Sequence, residues 1–135
     1  MHRHLFCGQI IDALTHVEGV SLIYLFGSQL TGTVGPMSDT DLGILVDRDI
    51  DGQAIRARFA HELSCILKTD RIDVVLLNQA PIELAYAIIA QGHVLYQRDL
   101  ATRVEYEADV MSRYGDYLPV LRSFWDDILK EDQHA

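Results

Sequence analysis

Two aspartates one residue apart, Asp39 and Asp41, open an apolar stretch that reads Leu42-Gly43-Ile44-Leu45-Val46. In an extended strand, side chains at i and i+2 point to the same face, about 6–7 Å apart. Two carboxylates held that close repel each other unless a cation lies between them. Hard oxygen donors suit Mg²⁺, which takes one or two protein carboxylates and completes its shell with water and phosphate oxygens. A second apolar run, Val20 to Phe26, precedes this pair and stops at Gly27-Ser28. Gly27 permits a sharp turn and a close ligand approach. Ser28 offers a hydroxyl and a backbone N–H to a phosphate oxygen, and a helix starting there would add its free N–H groups. The intervening loop, Gln29 to Ser38, is uncharged and carries Thr31, Thr33 and Ser38 as further donors. Each half alone has an ordinary explanation, since Gly-Ser often ends a strand and Asp-x-Asp is often a solvated edge or a cap. Together they supply donors for a triphosphate and carboxylates for its metal.

These residues need strands to hold them, and the periodicity provides them. Val20–Phe26 is a near-continuous apolar run, which suits a central strand covered on both faces. The spacing predicts a second strand over 40–46 and a third over 71–77, with a possible fourth at 93–97. Asp73 interrupts the third strand, Arg71-Ile72-Asp73-Val74-Val75-Leu76-Leu77. An acid inside a core strand is costly unless it is paired or holds a cation; Arg71, on the same face, is its ordinary partner. Helical spacing recurs over 4–17, where Leu5, Phe6, Ile10, Leu14 and Val17 share a face, and over 52–68, with Ile55, Phe59, Leu63, Ile66 and Leu67 as the buried stripe. Asp51 is placed to cap that helix, while Asp47 and Asp49 belong to a solvated turn. A short helix follows Pro81 and ends at Gly92. Residues 100–130 read as helical, broken or kinked at Pro119 into two helices. Their stripe of Val104, Ala108, Met111, Leu118, Leu121, Trp125 and Ile128 is expected to be part core, part partner surface. Arg56 and His61 form an Arg-x4-His string on the middle helix, read as a chance match on an exposed face. His93, just after a helix stop, reads as a loop residue.

The chain of 135 residues suits one domain, with a core over about 4–98 and C-terminal helices over about 100–130. Apolar residues make up 49%, ordinary for a globular protein. Twenty acidic residues against 11 basic ones give a net charge of −9, which argues against direct nucleic-acid binding and suits a basic protein partner. The only cysteines, Cys7 and Cys65, build neither a disulfide framework nor a metal site. No apolar run reaches membrane-spanning length and no leader pattern is visible, so a cytoplasmic protein is expected.

Gly27-Ser28, ten residues, then Asp39-Thr40-Asp41-Leu42 resembles the motif of the DNA polymerase β-type nucleotidyltransferase superfamily. The short length is similar to its minimal nucleotidyltransferases (MNT), typically encoded beside HEPN-domain proteins as toxin–antitoxin pairs. The resemblance runs from Val20 to about Gln97. It implies an α/β fold of the polymerase β type: a small mixed sheet with packed helices and a C-terminal helical segment. It also implies a third acidic residue on a neighbouring strand, which Asp73 matches. Asp39, Asp41 and Asp73 would then be the catalytic and metal-binding residues of a two-ion Mg²⁺ site. Gly27, Ser28 and Ser38 would bind the nucleotide. The implied reaction moves AMP from ATP to a hydroxyl, a tyrosine, of a cognate HEPN toxin, making this chain its antitoxin. Two alternatives are a binding module that neutralises its partner by occlusion, and a small-molecule nucleotidyltransferase completed by a second subunit. The chain departs from the family's pattern at Gln29-Leu30-Thr31-Gly32, where many members carry an arginine. Neutralising a triphosphate would therefore fall on Mg²⁺, backbone N–H groups and a partner residue.

Overall fold

The computed structural model of the chain describes residues 18–27, 40–68 and 71–133. The helix expected over residues 4–17 lies outside them, as do Ser28, Ser38 and Asp39. Strands β1 (Val20–Phe26), β2 (Thr40–Val46), β3 (Ile72–Leu76) and β4 (His93–Gln97) form one mixed sheet in the order β3-β2-β1-β4. β1 pairs antiparallel with β2 and β4, whereas β2 and β3 run parallel. A parallel pair needs a crossover, and helix α1 (Gly52–Leu67) supplies it. Helix α2 (Ile82–Gln91) and the long α3 (Leu100–Gln133) complete the elements.

β1 is apolar but for Ser21, because it is packed from both sides. Ile23 faces α1 with Leu42, Ile44, Val46, Val74 and Leu76, around the fully buried Phe59 and Leu63. Leu22 and Tyr24 face α2 and α3, with Ala85, Ile88, Tyr106 and Val110. A register shift between Val20 and Leu22 puts Val20 on the same face as Ile23 despite their odd spacing. Burying a side chain such as Phe59 contributes about 1.5–3 kcal/mol, and Phe59→Ala would cost about 3–5 kcal/mol once the cavity is included.

Local chemistry sets the helix ends. Asp51 caps α1 as expected, its Oδ1 accepting from the N–H groups of Gln53 at 3.1 Å and Ala54 at 3.2 Å. At the end of α2, the Gly92 N–H donates to the Ile88 carbonyl at 2.7 Å. A Cβ on Gly92 would fall 2.5 Å from that same oxygen, so only glycine fits without a shift. His93, expected in a loop, instead opens β4 and pairs in register with Leu25.

The C-terminal expectation needs correction. α3 is one helix with Pro119 inside it. Pro119 and Gly115, one turn earlier, are both exposed, so the carbonyl that loses its N–H partner can be hydrated and the helix survives. The predicted stripe is also displaced. Val104 and Met111 are exposed, and the side chains that face the sheet are Tyr106 and Val110. Polar residues share that inner face: the Tyr24 hydroxyl donates to Glu107 Oε1 at 2.6 Å, and Arg103 Nε donates to the same oxygen at 3.1 Å. A buried phenol can carry its own acceptor into a core, a pattern that hydrophobic spacing alone does not reveal.

Candidate active site

Asp41 is the second residue of β2 and pairs in register with Phe26 on β1 and Asp73 on β3. Register partners on adjacent strands project to the same face, so the two carboxylates lie side by side on the face that carries α2 and α3. They stand at the end of the sheet where β1 runs out into Gly27. Asp41 is buried, 7% exposed. Asp73 is exposed. The sequence reading made Asp73 the acid in a core strand; the structure gives that position to Asp41. The reason is the strand order: β2 is flanked by β1 and β3, whereas β3 is the edge strand, so Asp73 sits at the sheet rim. Among the described residues Asp73 forms no ion pair with Arg71.

Gly27 has no positive φ, so its backbone is not why glycine stands there. A Cβ at Gly27 would meet no atom of the described residues within 4 Å, which leaves room there for close approach of a ligand. The two sides of the phosphate-and-metal arrangement thus converge in the part of it that is described: Gly27 from β1, Asp41 from β2 and Asp73 from β3. Arg56 and His61 lie on α1, away from this row, where Arg56 Nε donates to Gln53 Oε1 at 2.9 Å.

The opposite end of the sheet holds a different feature, a cleft of about 490 Å³ between α3 and the exits of β2 and β3. None of Gly27, Asp41 or Asp73 lines it. Its charges are largely matched internally: Arg98 meets Asp47 at 2.9 Å and Arg113 meets Asp109 at 2.9 Å. Asn78, read from sequence as part of a helix start, closes one side. Its amide accepts from the Val46 N–H at 2.9 Å and donates to the Val46 carbonyl at 2.7 Å, extending the ladder past the last residue of β3. Sequence reasoning had only a weak cue for this, an amide just beyond a strand. Burial pushes the Tyr106 phenol up to about 12, and its hydroxyl is buried with no hydrogen-bond partner among the described residues.

With this geometry in view, comparison with known proteins is informative. The family model described as polymerase beta, nucleotidyltransferase matches residues 8–101. The protein adenylyltransferase MntA of Shewanella oneidensis is 35% identical over 81 residues, 60% of this chain and 57% of that protein. The chain thus spans a little over half the length of that curated relative. Among solved structures, a toxin–antitoxin with AMP-PNP contains a chain that superposes with a TM-score of 0.72 at 27% identity, covering 91% of this chain and 98% of that one. A tri-AMPylated Shewanella oneidensis HEPN toxin in complex with MNT antitoxin gives a TM-score of 0.73 at 25% identity, covering 93% and 98%. No helix among the described residues is long and apolar enough to cross a membrane.

Proposed function

We propose, starting from the fact that this chain belongs to the polymerase β nucleotidyltransferase family and has its fold, that it is a protein adenylyltransferase. It moves AMP from ATP to a hydroxyl of a HEPN-domain toxin and thereby acts as that toxin's antitoxin. The observation that carries this reading is the row Phe26–Asp41–Asp73 across three strands, at the sheet end where Gly27 opens the loop. The names of the similar proteins support the finer points: an adenylyltransferase, an ATP analogue in one complex, and an AMPylated HEPN toxin in another.

Each side chain then has a task. Gly27, Ser28 and Ser38 hold the β- and γ-phosphates through backbone and hydroxyl donors. Asp39, Asp41 and Asp73 are the residues that would hold Mg²⁺. The fit is chemical: carboxylates on neighbouring strands in register are hard donors whose mutual repulsion a cation relieves. Bound there, the metal would neutralise triphosphate charge and stabilise the attacking and leaving oxygens. Asp73, at the exposed rim, is placed to meet the incoming hydroxyl and accept its proton. A tyrosine phenol has an ordinary pKa near 10 and needs such a base at neutral pH. The phenolic oxygen bonds to the α-phosphorus, the bond to the β-phosphate oxygen breaks, and pyrophosphate leaves.

The test is intact-mass spectrometry of the HEPN protein encoded beside this chain, co-expressed with wild type or with Asp39→Asn/Asp41→Asn. The wild type should add one or more AMP units, and the double variant none. An unmodified toxin, neutralised equally well by both, would replace the transferase with a module that acts by occlusion.

A further inference from the structure

The second half of α3 is an amphipathic helix whose apolar face the described residues leave uncovered. At 100° per residue, Leu118, Val120, Leu121, Phe124, Trp125, Ile128 and Leu129 fall within one half of the helix circumference. Arg122, Ser123, Asp126, Asp127 and Lys130 fill the other half. On the apolar side Val120 is 65% exposed, Phe124 59%, Leu129 56% and Trp125 54%. Among the described residues, α3 last meets the body at Tyr114, stacked on Tyr86 at 3.9 Å, and Tyr117, hydrogen-bonded to Glu83. Beyond Tyr117 the only aromatic contact among the described residues is within the helix, Phe124 against Trp125. A soluble surface seldom carries such a contiguous apolar strip unless something docks on it.

We propose that residues 118–129 of α3 are the docking element for the HEPN toxin, and that they act separately from the catalytic row. The proposal rests on the reading above for the identity of the partner. Charge favours a partner over a second copy: two chains of net charge −9 repel, whereas a partner with a basic surface is attracted. The chemistry of the strip fits a protein surface, with a tryptophan and a phenylalanine among aliphatic neighbours, the composition of interface anchors. Its position separates binding from catalysis. α3 leaves the body beside Glu83, in the first turn of α2 just after β3 ends, whereas Asp41 and Asp73 lie at the start of β2 and β3. Docking there would raise the effective concentration of the acceptor hydroxyl at Asp73 without contributing to the transfer step.

The test uses the full chain with purified toxin, comparing wild type, Phe124→Glu/Leu129→Glu and, as a milder second variant, Val120→Glu. Thermal melts, toxin affinity, oligomeric state and AMP transfer by intact mass are read for each. Both variants should melt like wild type and bind toxin at least about thirtyfold more weakly, the loss expected when anchor residues are removed. Transfer should fail at low toxin concentration and recover at high concentration, a recovery that Asp39→Asn/Asp41→Asn would not show. Toxin binding by both variants at wild-type affinity overturns the proposal. So do melts far below wild type, which would mean the face is covered by the chain itself, residues 1–17 included, and so does a wild-type dimer that the variants dissociate. A wild type that binds toxin through this face and leaves it unmodified upholds the docking element and removes the transferase reading instead.

Discussion

Tyr24→Phe isolates the contact that fastens α3 to the sheet. Tyr24 is 1% exposed and its hydroxyl donates to Glu107 Oε1 at 2.6 Å. A hydrogen bond to a charged group contributes about 1.5–3 kcal/mol. Glu107 has a second donor, Arg103 Nε at 3.1 Å, and its side chain is 22% exposed, so the variant leaves no stranded charge. The expected loss is therefore at the low end, about 1–2 kcal/mol, or roughly 5 °C in Tm for a chain of this size. Urea unfolding and thermal melts at neutral pH measure it. The same pair predicts an alkaline effect. Burial, then the hydrogen bond to Glu107 and that residue's charge, raise the Tyr24 phenol well above its ordinary value of 10.0. A phenol raised in the folded state supports folding while it is neutral. That support is complete below the unfolded value of about 10 and is lost as pH rises beyond it toward the folded value. Wild type should lose stability above about pH 10, and Tyr24→Phe should lose less. A Tyr24→Phe protein that melts within a degree of wild type, with the same alkaline slope, would refute the anchor.

Asp73→Asn should cut transfer about 10²–10⁴-fold, the usual contribution of a general base, while ATP binding by calorimetry and the melting curve stay close to wild type because the residue is exposed; an active variant would deny it that role. Tyr106→Phe removes a buried hydroxyl that has no partner among the described residues and should leave the protein as stable as wild type or up to about 1–3 kcal/mol more stable; a lower midpoint in urea would show that the hydroxyl is satisfied.

Much of the architecture was legible before any coordinates. β1, β2, β4, α1 and α2 fall where the periods of two and 3.6 put them, and β3 differs by one residue at each end. Asp51 was recognisable as a cap because capping acts within three residues. These features depend on neighbours a few positions away, which a sequence displays directly.

The rest was decided by parts of the chain distant in sequence. Nothing in the spacing of Asp41 and Asp73 says that β2 and β3 run parallel or that these two residues share a register. That follows from α1 packing its Phe59 and Leu63 against the α1-facing side of both strands. The strand order buries Asp41 on central β2 and leaves Asp73 exposed on edge strand β3, the reverse of what an acid in an apolar run suggests. α3 makes the point from the other direction. Its hydrophobic period is clear in the sequence, yet the inner face went to Tyr106 and Val110, with Tyr24 supplying the partner for Glu107. Pro119 was tolerated because its turn faces water. A sequence records which groups are apolar, charged or able to cap. Which of them meet, and which meet water, is set by long-range packing, where one residue of register reverses every face of a strand.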